Sequence, residues 1–209
     1  MGIMLTVLGQ ITCQNDEEIT AIHMIPFPGE GKSAVCVGTV FFKPNEREPS
    51  QGRLLLITAE SDAPTRRQWK KNSEMNINGC VYALARVNGL LAASIGTSVS
   101  VRLLEFLLDS ELFQVSVYKV DATGFHAVAH WNHNYLVTSL SARGSRLFVG
   151  DTICSVSALD LIETEGGEVR LISIARDFTP LWPMSVGSLD RDTIIGANVS
   201  LFLYLPKIH

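Results

Sequence analysis

The sequence has no C-x-x-C pair. Its four cysteines, Cys13, Cys36, Cys80 and Cys154, are widely scattered, which excludes a zinc ribbon. Cys36, Cys80 and Cys154 lie in apolar runs and read as buried thiols, so a reducing compartment is the simplest expectation. Charge is also scarce. Only 18% of the 209 residues are charged, and the net charge is −4. Phosphate contacts supply most nucleic-acid affinity, so a dedicated binder shows a basic excess that this chain lacks. No apolar run approaches the roughly 20 residues of a membrane helix, and no membrane partner is expected. The N-terminus lacks the charged start of a secretory signal. Gly2 and Thr6 fit M-G-x-x-x-[ST], but no basic patch follows to supply a second membrane signal.

What is present is apolar and β-rich. Apolar residues make up 46% of the chain, the profile of a packed globular protein. Short runs rich in Val, Ile, Leu and Phe recur throughout, among them EITAIHMI, AVCVGTVFF, GRLLLITAE, GCVYALARV, LLAASIG, TSVSVRLLEF, ELFQVSVYKV, FHAVAHW and EVRLISIA. Turn-forming Gly, Pro, Asn, Asp and Ser bound them. Asn88-Gly89 is the clearest hairpin signal, and Glu165-Gly166-Gly167 marks another turn. VRLLEFLLDSELF fits a helical period, but its β-rich flanks favour strands. KPNEREPSQG (43–52) and SDAPTRRQWKKNSEMN (61–76) read as loops. About fifteen short strands imply an all-β sandwich, barrel or propeller. With roughly 40–45 residues to a four-stranded blade, the chain holds roughly four to five blades. We expect one architectural unit spanning 1–209.

Several segments approximate chemical motifs. GEGKS (29–33) resembles the end of a phosphate-binding loop, but Pro26 stands where the first glycine belongs. The segment also leads into a strand rather than the required helix. AASIG (92–96) approximates a nucleophile elbow around Ser94, but it lacks the strand–turn–helix context. HAVAHWNH brings His126, His130 and His133 close together. On a regular strand His126 and His130 would share a face, which keeps open a small β-rich metal-dependent enzyme as an alternative of another class. No carboxylate or cysteine lies in register with them. RRQWKK (66–71) interleaves four basic residues with Trp69, a pattern that can grip a single strand, though a solvated loop is the plainer reading. No paired carboxylates, triad or cofactor fingerprint stands out. The chain therefore reads as a binding scaffold rather than an enzyme, with no cofactor and no metal. ARDFTPLWPMS (175–185) stands apart between two strand-like runs. It carries an Arg-Asp pair, two aromatics and two prolines.

Three stretches carry a family resemblance: VGTVFFKPNEREPSQGRLLL (37–56), INGCVYALARVNGLLAASIGTSVSV (77–101), and 148–198 with FVGDTICSVSALDL and ISIARDFTPLWPMSVGSLDRDTIIGAN. In order and spacing they resemble the C-terminal propeller region of one family. It includes the large subunit of the UV-damaged-DNA-binding protein, the A subunit of the cleavage and polyadenylation specificity factor, and a splicing-factor subunit. The resemblance covers about 34–205. It implies a partial β-propeller acting as a non-catalytic scaffold in a nuclear multiprotein complex. In the damaged-DNA-binding branch that means an adaptor in DNA repair, placed between a cullin-type ubiquitin ligase and substrate receptors that insert a helix. In the other branches it means pre-mRNA 3′-end processing or splicing. Other propellers of the same complex are implied partners, and nucleic-acid contact is expected to be indirect.

Carried over by position, the receptor-facing wall would comprise Val40, Phe42, Tyr82, Thr138, Thr152, Arg176 and Trp182. Interface hot spots are enriched in Trp, Tyr and Arg. The chain departs from the family where Cys154 replaces an arginine and where Thr138 and Thr152 replace larger apolar residues. The expected pocket is then less apolar and one charge poorer. Family members are also several times longer, so the chain is expected to be a fragment of a multi-propeller protein.

Overall fold

The computed structural model describes residues 10–27, 33–46, 48–63, 66–96, 113–132, 136–153, 155–179, 182–199 and 203–204. All regular structure among them is β. The strands are β1 (Glu17–Pro26), β2 (Ser33–Phe41), β3 (Gln51–Ala63), β4 (Arg66–Asn78), β5 (Cys80–Val87), β6 (Leu90–Gly96), β7 (Phe113–Asp121) and β8 (Gly124–Trp131). They continue with β9 (Val137–Arg143), β10 (Arg146–Asp151), β11 (Ser155–Glu163), β12 (Val169–Arg176), β13 (Pro183–Ser188), β14 (Ile194–Asn198) and β15 (Leu203–Tyr204). They form antiparallel meanders: β1–β4, β5–β8, β9–β12 and the three-stranded β13–β15. These are four blades of a partial β-propeller. First strands pack on first strands (β1 on β5, β5 on β9, β9 on β13), and outer strands on outer strands (β4 on β8, β8 on β12).

Apolar clusters fill the gaps between blades. Leu54, Leu56, Val81, Leu91 and Tyr118 join blades one and two. Val87, Val117, Trp131, Leu147 and Leu159 join two and three. Phe148, Val156, Val186 and Ile194 join three and four. Strands near the axis are covered on both faces, so they read as unbroken apolar runs without alternation. β10 is buried along its whole length. Outer strands are half-exposed and polar, which explains the one strand that the sequence conceals. The stretch 61–76, expected to be loop, instead ends β3 and forms most of β4, which pairs with β3 along its length. Lys and Arg on an exposed edge strand also deter edge-to-edge aggregation. The expected strand at 97–106 lies outside the described residues, as does the helix-period segment 101–113 except for Phe113.

One device repeats in every blade. A β-bulge interrupts each first strand near its start, leaving Thr20, Tyr82, Thr138 and Met184 unpaired. A bulge sharpens local twist and re-aims the strand. Just beyond it, the second strand carries a small residue: Gly38, Ser94, Gly150 and Ala197 pair with Ala21, Ala83, Ser139 and Ser185. The next blade approaches closely at this position. A Cβ on Gly38 would lie 2.5 Å from Val81 Cγ1, and one on Gly150 would lie 3.0 Å from Val186 Cγ1. Hydroxyls then tie the blades together. Thr20 donates to the Val81 carbonyl (2.5 Å), Ser94 to the Val137 carbonyl (2.7 Å), and Thr138 to the Pro183 carbonyl (3.3 Å). Each acceptor is the residue immediately before the next blade's bulge.

Blade one also holds a buried ion pair. Arg53 on β3 donates from Nε to Glu17 Oε1 (2.9 Å) and from Nη2 to Glu17 Oε2. Its Nη1 reaches Glu74 (2.8 Å), and its guanidinium lies 5.5 Å from the Phe41 ring centre. Thr39 Oγ1 donates to Glu17 Oε1 (2.7 Å), and the Gln14 amide donates to Oε2 (2.9 Å). Burial alone would raise the Glu17 pKa, but the donations from Arg53, Thr39 and Gln14 outweigh it and hold the carboxyl below its ordinary 4.5.

Two predictions follow from this packing. Gly38→Val should lower unfolding stability by about 2 kcal/mol through overpacking, and Val81→Ala in the same chain should restore part of the loss, as urea denaturation would show. Glu17→Gln leaves Arg53 buried against a neutral partner and should remove about 3 kcal/mol at neutral pH. A depressed folded pKa gives stability that is present above about 4.5 and lost as pH falls through the folded value. Acid titration of the parent should therefore show that loss, and the variant should lack it.

Candidate functional site

In an antiparallel meander, the start of the first strand, the end of the second, the start of the third and the end of the fourth lie at the same end of the blade. Phe42 follows β2, Tyr82 lies near the start of β5, Thr138 near the start of β9, Thr152 follows β10, Arg176 ends β12, and Trp182 precedes β13. All six of these expected wall residues therefore occupy one end of the blades. Val40 does not share their accessibility. It is fully buried in β2, two residues beyond the close contact at Gly38, and it offers no surface to a partner. The expectation that Val40 lines the wall is corrected: it is a buried residue of β2.

Several exposed large apolar side chains lie at this end, while others, Ile22 and Met24 among them, lie along β1. Phe178 is 84% exposed, Trp182 59%, Met184 56%, and Phe42 and Ile153 49% each. Met184 occupies the bulge of blade four, as Tyr82 and Thr138 occupy those of blades two and three. Met184 and Ile153 were not singled out from the sequence. The exposed flanks of the Pro-rich and VGD segments were the only available signal. Tyr82 is half-buried, and burial, with added effect from Cys80 and Glu48, pushes its hydroxyl up to about 12. It is a neutral donor with an apolar body.

Local hydrogen bonds fix the 175–185 stretch. Asp177 accepts from Ser155 Oγ (3.1 Å) and the Thr179 amide (2.9 Å), and its own amide donates to the Val156 carbonyl (2.9 Å). Asp177 is therefore occupied in holding the turn. Among the described residues, Arg176 forms no ion pair with it or with a neighbouring blade. The Arg176 guanidinium carbon sits 5.9 Å from the Phe178 ring centre, and among the described residues its buried Nε has no acceptor. Trp182 has φ 48, left-handed backbone that is strained for a bulky residue. The residue is 59% exposed.

The two threonines at this end spend their hydroxyls internally. Thr138 donates to Pro183 O (3.3 Å) and Thr152 to Leu136 O (3.3 Å). Cys154 lies outside the described residues.

The competing chemical motifs dissolve in the geometry. Ser94 lies mid-strand, buried, with its hydroxyl committed to Val137. Ser33 begins β2, and residues 29–32 of GEGKS lie outside the described residues. His126 pairs across the sheet with Lys119, and His130 with Ser116, because a bulge at Val128 intervenes. Partners across a pair share a face, and 116 and 119 have opposite parity. The bulge therefore puts His126 and His130 on opposite faces, which corrects the expectation of a shared one. His126 Nε2 contacts Thr123 Oγ1 (2.7 Å) and Asp121 (3.3 Å). His133 lies outside the described residues, among which no group of three His, Cys, Asp or Glu side chains is placed to hold a metal. Cys36 and Cys80 are buried thiols, pushed up by burial to about 12 and about 11.

Comparison with known proteins agrees with this architecture. The family model of the CPSF A subunit region matches residues 3–106 and 113–207. DNA damage-binding protein 1 of Drosophila melanogaster is 27% identical over 90% of the chain, and that of Oryza sativa subsp. japonica is 29% identical over 84%. DNA damage-binding protein 1a of Arabidopsis thaliana is 29% identical over 82%. The chain spans about 15% of the length of these relatives.

The strained backbone at Trp182 gives a stability test that is independent of any partner. Glycine at φ 48 releases strain of about 1 kcal/mol, so Trp182→Gly should melt no lower than the parent by circular dichroism. A fall of several degrees would mean that the ring's contacts within the chain hold the turn.

Proposed function

From the membership of this chain in the family of the CPSF A subunit region, we propose that it is a non-catalytic propeller scaffold of a nuclear multiprotein complex. It acts as an adaptor between a cullin-type ubiquitin ligase and substrate receptors in DNA repair. The relatives named DNA damage-binding protein 1 support this branch over RNA processing. The observation that carries the docking reading is the exposure of the Phe178 and Trp182 rings at the blade end that also holds Arg176, whose guanidinium carbon lies 5.9 Å from the Phe178 ring centre. A receptor helix that lays apolar side chains on Trp182 and Phe42 would bring its C-terminal carbonyls or a carboxylate to Arg176. Helix C-termini carry partial negative charge, and charge-assisted hydrogen bonds from arginine are the strong ones. Tyr82 adds apolar area beside a hydroxyl donor. The blades beneath are locked by the inter-blade hydroxyl ties, so little of this surface must reorganise on binding.

The test is affinity purification from cells of the full-length protein that carries this region. The parent should recover cullin and receptor peptides. Arg176→Ala combined with Trp182→Ala should recover receptors at least about tenfold less, given the weight of Arg and Trp in hot spots, with cullin recovery unchanged. Recovery of polyadenylation or splicing factors in place of cullin would assign the chain to another branch. Equal receptor recovery by the variant would remove this end of the blades from the interface.

A further inference from the structure

The stretch RRQWKK (66–71) plays no part in the docking end. It lies on a part of blade one that blades two and three do not have. β3 and β4 have 13 residues each, whereas β7 and β11 have nine and β8 and β12 have eight. A Cβ on Gly124, the first residue of β8, would meet Ser73 Oγ at 2.7 Å. Blade two therefore begins level with Ser73, and residues 66–72 run past it. At about 3.3 Å per residue, the surplus of about five residues makes a two-stranded arm about 15 Å long. A bulge at Asn72 marks its base, where the ladder shifts between the Leu56–Ser73 and Ile57–Lys71 pairs. There Thr58 Oγ1 donates to Asn72 Oδ1 (3.0 Å), and a bulge of this kind bends the strand that carries it. The arm projects at the end of the blades opposite Trp182, because it is built where β3 ends and β4 begins.

The arm is also where basic residues gather. Between 57 and 72 the sequence carries Arg66, Arg67, Lys70 and Lys71 against Glu60 and Asp62, in a chain whose net charge is −4. The corresponding tip of blade three carries Glu163, Glu165 and Glu168 instead. Trp69 stands beside the lysines, 39% exposed, next to an open groove of about 210 Å³ lined by Gln10, Ile11, Val35 and Ile57. Lys71 is paired with Glu74 at 2.7 Å, but the two side chains are 47% and 43% exposed. An exposed pair is weak and screened, and Glu74 keeps Arg53 as a partner (2.8 Å), so Lys71 can turn to another anion. We propose that the arm binds single-stranded nucleic acid, with one base stacked on the Trp69 indole and the neighbouring phosphates held by Lys70 and Lys71. Stacking beside a basic track is sequence-tolerant, since every base has a π-face. A duplex keeps its bases stacked inside, and a run of acidic side chains offers the lysines charge but the indole nothing flat. The contact is made by this chain itself and does not rest on the functional reading given above.

The probe is a fluorescein-labelled oligothymidylate of about 12 nucleotides, within the usual range of single-strand site sizes. Anisotropy at low salt should show saturable binding. Log K should fall against log salt with a slope of about −2, as for about three phosphates on a single strand. Trp69→Ala should weaken binding about tenfold and leave the slope unchanged. Trp69→Phe should recover most of that loss, because a smaller ring still stacks. Lys70→Gln combined with Lys71→Gln should weaken binding and bring the slope to about −1 or shallower. Both lysines are exposed, so this variant should melt with the parent by circular dichroism and tests the site even where Trp69→Ala loosens the arm. An unlabelled duplex of the same length and an oligoglutamate should each compete at least about tenfold less well than unlabelled oligothymidylate. No saturable binding, a salt slope unchanged by the lysine variant, or equal binding by the Trp69→Ala and Trp69→Phe chains and the parent would overturn the proposal. So would equal competition by the duplex or by oligoglutamate, the latter assigning the arm to an acidic protein segment.

Discussion

The arrangement of the blades depends on how closely the first strand of one blade can approach the second strand of the blade before it. Gly38 and Gly150 leave room for Val81 and Val186. Where Ser94 replaces the glycine, its hydroxyl reaches the Val137 carbonyl. Thr20 and Thr138 reach the equivalent carbonyls from their bulges. A larger side chain at the small-residue position would push the blades apart and break the hydrogen bond beside it, so the steric and polar requirements are coupled. The bulges belong to the same device. They turn the start of each first strand, which lets Tyr82 and Met184 leave the ladder and face outward. Close packing near the axis thus produces the accessible apolar surface at the blade ends.

Charge then stiffens the scaffold at both ends of the blades. Glu17 and Arg53 lie at the end that carries Phe42. The Phe42 amide donates to the Asp16 carbonyl next to Glu17 (2.8 Å). At the opposite end, Arg146 makes a two-point contact with Asp160 (2.8 and 3.0 Å) and reaches Asp192 (2.6 Å) on the β13–β14 hairpin. The acidic LDRD turn of the sequence is therefore an inter-blade clasp. Breaking a buried pair is far more harmful than never having one. These pairs are better understood as fixing the register between sheets than as net sources of stability.

The strands near the axis were legible because burial on both faces forces apolar runs, and the turns because Asn88-Gly89 and Gly167 adopt positive φ. β4 was concealed because an outer edge strand needs few apolar residues. Among the described side chains its apolar contacts with the neighbouring blade come from Met75 and Ile77, and the rest reads as loop. The opposite facing of His126 and His130 could not be read from their spacing, since a single bulge at Val128 reverses parity without any compositional mark. The Glu17–Arg53 pair spans 36 residues and depends on strand register, which sequence alone does not specify. In the candidate docking end, the aromatics were visible as residues out of place in a polar connection. Met184 and Ile153 were not, because an exposed aliphatic at a bulge or turn looks like any core residue in sequence.

Thr138 and Thr152 change meaning once their hydroxyls are located. From the sequence, replacing larger apolar residues by threonine implies a more polar docking pocket. In the fold, Thr138 ties blade three to blade four at Pro183, the residue that follows Trp182, and Thr152 closes the β10 turn onto Leu136. Both hydroxyls are satisfied by backbone carbonyls. A satisfied hydroxyl adds little desolvation penalty when a partner covers it. The exposed rings of Phe178 and Trp182, rather than the threonines, therefore set the chemical character of this end.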